Sequence, residues 1–135
     1  MKTIVISASA SEQEKIKKWC DFWQSRGYEV IAYPKSIKEA DFNSTYPTVH
    51  REFYKCLAET DFHFIANEEK KGISGYIGPG VFAEIAFRVG LNLVKNQSVP
   101  VLLLTTPSKE VKFCEDIKLW ISLGWVKLLG ALGDF

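Results

Sequence analysis

The sequence predicts a flavodoxin-like α/β domain, a three-layer sandwich on a five-stranded parallel sheet of order 2-1-3-4-5. Three observations predict it. Short β-type runs alternate with amphipathic helical segments along the whole chain. The run Val101-Leu102-Leu103-Leu104 is apolar throughout, as a strand covered on both faces is. No repeat, low-complexity tract or linker breaks the alternation, so residues 1–135 read as one domain. Parallel strands need right-handed crossovers, which place helices on both sides of the sheet.

The first strand is Thr3-Ile4-Val5-Ile6. Ser11-Glu12-Gln13-Glu14 has the form of a capping box and predicts a helix start. Ile16, Trp19, Cys20 and Trp23 then share one helical face, and Gly27 ends the helix. Residues 28–33 form a second strand, stopped by Pro34. Residues 35–45 read as a polar, irregular loop. Pro47 suits the first position of a second helix, whose apolar face is Val49, Phe53, Cys56 and Leu57. Residues 62–66 are the third strand.

A glycine-rich loop follows, and then a third helix from about Gly80 to Lys95, with Phe82, Ile85, Ala86, Val89 and Leu93 on one face. After the fourth strand, Pro107 is placed to open a fourth helix. Phe113, Ile117, Trp120 and Ile121 face its core, and Gly124 ends it. Residues 125–129 are the fifth strand.

Composition narrows the function. The formal net charge is +1, with Lys and Arg spread along the chain, so no electrostatic case exists for nucleic-acid or membrane binding. The three cysteines are far apart and odd in number, which reads as reduced, mostly buried thiols. The N-terminus is broken too early by Ser7 to be a signal peptide, and apolar stretches fall short of a membrane helix. A cytoplasmic protein is expected. His50 and His63 lack a spaced second ligand, so neither a metal nor another cofactor is expected.

In an open parallel sheet, ligands bind beyond the carboxyl ends of the strands where strand order reverses. Here that point lies between the first and third strands. Its loops are Ser7-Ala8-Ser9-Ala10-Ser11 and the segment from Asn67 to Gly80. The second holds Gly72, Gly75, Gly78 and Gly80 and leads into a helix N-terminus, a place that attracts anions. It matches neither the dinucleotide fingerprint nor the P-loop. Tyr76 within it can stack on a base or anchor a lid. Glu84 reads as lying in the first turn or so of the third helix. Two roles are open to it: an ion pair with Arg88 at i+4, or a functional carboxylate at the crevice.

The stretch Tyr76-Ile77-Gly78-Pro79-Gly80-Val81-Phe82-Ala83-Glu84-Ile85-Ala86-Phe87 resembles the nucleoside 2-deoxyribosyltransferase superfamily. Asp61 to Asn67 resembles that family's third strand, and Asn67 to Gly78 a small-protein branch of it. The resemblance implies cleavage of an N-glycosidic bond in a nucleoside or nucleotide, with Glu84 as the nucleophile. It implies Ser7, Ser9, Asn67, Tyr76, Gly78 and Gly80 as substrate-binding positions, and a homo-oligomer whose subunits share active-site residues. Gly78 stands where transferase members carry an Asp, and Val5, Ile6 and Ser7 stand where they place an aromatic residue. Asn67, Glu68 and Glu69 are the polar groups nearby. Hydrolysis of a monophosphate requires a phosphate cradle, which Ser7, Ser9 and Ser11 resemble. The alternative is a nucleotide-binding or partner-binding α/β domain without turnover.

Overall fold

The computed structural model describes residues 1–132, so the last three residues of the expected domain lie outside the described residues. Its strands are β1 (Thr3–Ser7), β2 (Glu29–Ala32), β3 (Phe62–Ile65), β4 (Val101–Leu103) and β5 (Lys127–Leu128). Its helices are α1 (Gln13–Gln24), α2 (Phe42–Glu59), α3 (Pro79–Val94) and α4 (Cys114–Ser122). All strand pairs are parallel and the order is β2-β1-β3-β4-β5, as the sequence predicts. Among the described residues no helix is long and apolar enough to cross a membrane.

Strand alternation sorts the core into two halves. Ile4, Ile6, Phe64 and Leu102 point to the α1 side and pack with Trp23 and Trp19. Ile65, Val101 and Leu103 point to the other side, where they meet Ile85 and Val89 of α3 and Cys114 and Ile117 of α4.

The expected strands at 28–33 and 125–129 are shorter, Glu29–Ala32 and Lys127–Leu128, and three helix starts differ from the sequence reading. The first helix starts at Gln13, and Ser11 caps nothing. The Ser11 hydroxyl is instead shared with Ser9 at 3.1 Å, and the Gln13 amide turns back to donate to the Ala10 and Pro34 carbonyls. The second helix begins at Phe42, so the expected loop is helical over its last part and Pro47 lies inside the helix. Proline there removes one bond, to the Asn43 carbonyl, close to a helix start that already has unpaired groups. Phe42 and Tyr46 stack one turn apart at 4.9 Å across the same stretch.

The fourth helix begins at Cys114 rather than at Pro107. Residues 107–113 are spent on docking the glycine-rich loop. Ser108 N–H donates to the Ser74 carbonyl at 3.0 Å. Gly75, at φ +65°, lies where an added Cβ would stand 2.7 Å from both Pro107 Cα and Thr106 O. Only glycine fits that contact.

Candidate functional site

The cavity at the switch point has a volume of about 810 Å³. Its floor and walls come from the loops after β1 and β3, the start of α3, the segment after β2, and one side of α2. Glu84 is the one carboxylate among its described lining residues.

Glu84 lies five residues beyond Pro79, in the second turn of α3 rather than the first. The helix dipole is weak there, since its effect fades beyond the first turn. The ion pair with Arg88, one of the two roles open to Glu84 from the sequence, is not formed. Arg88 is fully buried and turns away, donating to the Leu57 carbonyl at 3.0 Å and the Ala58 carbonyl at 3.1 Å, with further bonds to Asn92 and Gln97. It satisfies the open carbonyls at the end of α2, and that claim on the guanidinium leaves Glu84 without a counter-charge.

The Glu84 carboxyl is held by Ser7, whose hydroxyl donates to Oε1 at 2.7 Å. Ser7 Oγ is also 2.7 Å from His63 Nε2. These two residues are fully buried and sit diagonally on adjacent strands, since Ser7 pairs with Ile65 and His63 with Val5. Burial raises the Glu84 pKa from its ordinary value to about 7, against the lowering effect of the Ser7 bond. Burial, with the Arg88 charge adding to it, lowers His63 to about 3, so its ring is neutral. The phenol of Tyr54, on α2, is raised by burial and then by the charge of Glu84, which places the two within electrostatic reach.

The other expected positions are distributed around this carboxyl. Ser9, Asn67, Tyr76, Gly78 and Gly80 line the cavity, whereas Ser7 is absent from its walls and lies behind Glu84. Ser9 bonds to Ser11 and accepts from Lys70, whose ammonium sits 5.4 Å from the Tyr76 ring centre. Asn67 is buried and committed to backbone, donating to Thr105 O at 2.8 Å and accepting from Leu104 N–H at 3.0 Å. It therefore ties the glycine-rich loop to the end of β4. An added Cβ on Gly78 would touch the Tyr76 ring at 3.5 Å, and one on Gly80 would meet open space. Glu68 belongs elsewhere: it accepts from Trp19 Nε1 at 3.1 Å, on the α1 side, and does not line this cavity. Cys114 is buried, while Cys20 and Cys56 are half-buried; all three are free.

Sequence reasoning missed the α2 wall. Phe42, Tyr46, His50 and Tyr54 form a continuous row, with ring centres 4.9, 5.1 and 4.5 Å apart, and all four line the cavity. Tyr46 Oη and His50 Nδ1 share a hydrogen bond of 3.0 Å. The period of four was visible in the sequence. Assigning residues 42–45 to a loop and starting the helix at Pro47 cut it in half. His63 was also missed, although a histidine in the otherwise apolar strand Phe62-His63-Phe64-Ile65 is a signal of its own.

No family model matches the chain, and no curated protein matches it in sequence.

Proposed function

We propose that the chain cleaves the N-glycosidic bond of a nucleoside or nucleotide, with Glu84 as the nucleophile. The observation that carries this reading is a lone carboxyl group in the wall of a large cavity, gripped by a buried serine at the sheet's switch point. A Glu84 oxygen attacks the anomeric carbon while the C–N bond breaks, and the bonding pair leaves on the base. The departing base takes a proton from the cavity wall, where Tyr46, His50 and Tyr54 are the proton-bearing groups of α2. Water then opens the glycosyl ester: its oxygen bonds to the anomeric carbon as the bond to Glu84 breaks, and its proton returns to the wall group that protonated the base, which frees the sugar and restores the carboxylate. One water is consumed for each bond cut. The aromatic row on α2 gives one wall of the cavity an apolar surface against which a base can pack.

The ionisation of Glu84 supplies a directional test. A nucleophile must be deprotonated, so kcat/KM rises with pH through about 7. A glutamic acid acting as proton donor gives the opposite slope. The direct experiment incubates the protein with ribo- and deoxyribonucleosides and their 5′-monophosphates and measures free base. Glu84→Gln should reduce release at least about a thousandfold. No release from any compound, or equal release by the variant, removes the reading. Thermal stabilisation by one of these compounds without base release identifies a binding module instead.

A further inference from the structure

When Glu84 is ionised, the polarity of the buried Ser7–His63 pair follows from counting protons. A serine hydroxyl carries one. Ser7 sends it to Glu84 Oε1, so the second contact, to His63 Nε2, must run from the ring to the hydroxyl. Nε2 then carries the ring proton and Nδ1 is bare. That nitrogen is buried and has no hydrogen-bond partner among the described residues. The reverse polarity, with a protonated Glu84 donating to Ser7 and Ser7 donating to Nε2, would move the ring proton to Nδ1. A buried N–H without an acceptor would result, which is the costlier orphan because nitrogen donors are almost always paired.

We infer that Ser7 and His63 are positioning residues, a neutral relay in which His63 holds the Ser7 hydroxyl on Glu84 and favours the carboxylate over the acid. This deepens the glycosidase reading and rests on it for its role in turnover, though not for its existence. The relay opposes burial, which favours the acid. The titratable and charged groups of the surrounding elements do not substitute for it. Tyr54 on α2 meets Glu84 through its electrostatics, Arg88 on α3 is committed to the end of α2, and Lys70 in the loop after β3 bonds to Ser9.

Two measurements test the relay. The first is nitrogen NMR on the wild-type protein, whose two histidines make assignment direct. His63 should show a protonated Nε2 and a bare Nδ1 at pH 8, where Glu84 is ionised. A protonated Nδ1 there overturns the inference, and no variant needs to fold for this result.

The second follows the Glu84 carboxyl by carbon NMR alongside the pH profile of base release. Ser7→Ala should raise the Glu84 midpoint by about one pH unit and lower kcat about tenfold with little change in KM. His63→Leu should act in the same direction, and His63→Gln, which restores a donor, should return both toward wild type. If base is released but none of the three variants moves the midpoint or kcat, the relay is wrong and the glycosidase reading stands. If the midpoint shifts in Ser7→Ala but wild type releases no base, the relay stands and the glycosidase reading falls.

Discussion

The two faces of the sheet are built from alternate residues of the same strands, yet they bury different chemistry. On the α1 face, Ile4, Ile6, Phe64 and Leu102 meet an aromatic cluster in which Trp23 lies 5.2 Å from each of Phe22, Tyr28 and Phe64. On the opposite face, the intervening residues include buried Ser7 and His63, and the helix packed there supplies buried Arg88 and the lined cavity's Glu84. Apolar burial stabilises a fold, whereas an unpaired buried carboxyl costs stability. Both faces have an apolar core, but only the second also buries polar groups among its apolar residues. Substitutions at Trp23 and at Glu84 should therefore have opposite signs.

The largest effect is expected on the α1 face. Trp23 is fully buried, and Trp23→Ala should cost about 3–5 kcal/mol of stability, because it removes a large side chain from a close-packed cluster. Urea unfolding measures this directly. The Glu84 midpoint should not move, since Trp23 lies on the other side of the sheet. A loss below about 1 kcal/mol would erase the division between the faces.

The second effect lies on the other face and has the opposite sign. Glu84 titrates at about 7 in the folded chain against an ordinary 4.5. The folded state therefore binds more protons between these values, and stability falls as pH rises through that window. Above it the cost is on the order of 3 kcal/mol. Glu84→Gln should remove that cost, so the variant is more stable than wild type at pH 8 and nearly equal at pH 4.5. His63 acts in reverse. Its folded pKa of about 3 lies below the ordinary 6.5, so the unfolded chain binds the extra proton and stability is lost as pH falls through that window. Between about 4.5 and 6.5 the two slopes offset one another. Wild type should be flat there, and Glu84→Gln should expose the His63 slope alone. An equal stability difference at pH 4.5 and 8 would show that Glu84 is not desolvated.

How much of this was legible in the sequence depends on whether the signal is periodic or relational. The five strands, their order and the position of α3 follow from apolar runs and helical faces, which are local. Glu84 was legible as a candidate because it follows a glycine-rich loop at a predictable place in the fold. Its surroundings were not. Whether Arg88 pairs with Glu84 is decided by the end of α2, some 30 positions away in sequence, whose open carbonyls take the guanidinium. The grip of Ser7 on Glu84 spans 77 positions and that of His63 on Ser7 spans 56. Such contacts depend on strand register, which no local pattern encodes. Pro47 misled for another reason: a general rule about helix starts outweighed the row Phe42, Tyr46, His50, Tyr54, which shows that the helix had begun earlier.

The smallest expected effect is at the carboxyl edge of the sheet, where the second face opens into the cavity. Lys70 and Lys35 are the two ammonium side chains among the cavity's described lining residues; Lys35 lies over the Tyr33 ring, whereas Lys70 both bonds to Ser9 and lies over the Tyr76 ring. The loop that carries it is closed by a tight turn in which Lys70 and Ile73 exchange backbone bonds, with Lys71 at φ 53° and Gly72 at φ 77°. A fixed ammonium beside two serine hydroxyls suits a phosphate better than a neutral hydroxymethyl group. Lys70→Met keeps an unbranched side chain of similar length and removes the charge. It should raise KM for a 5′-monophosphate about tenfold while leaving KM for the matching nucleoside within about twofold, the share of a single charge-assisted hydrogen bond. Equal weakening of both substrates would mean that Lys70 shapes the loop rather than reads the phosphate. The cavity's selectivity would then rest on the α2 row, and the monophosphate would have no advantage over the nucleoside.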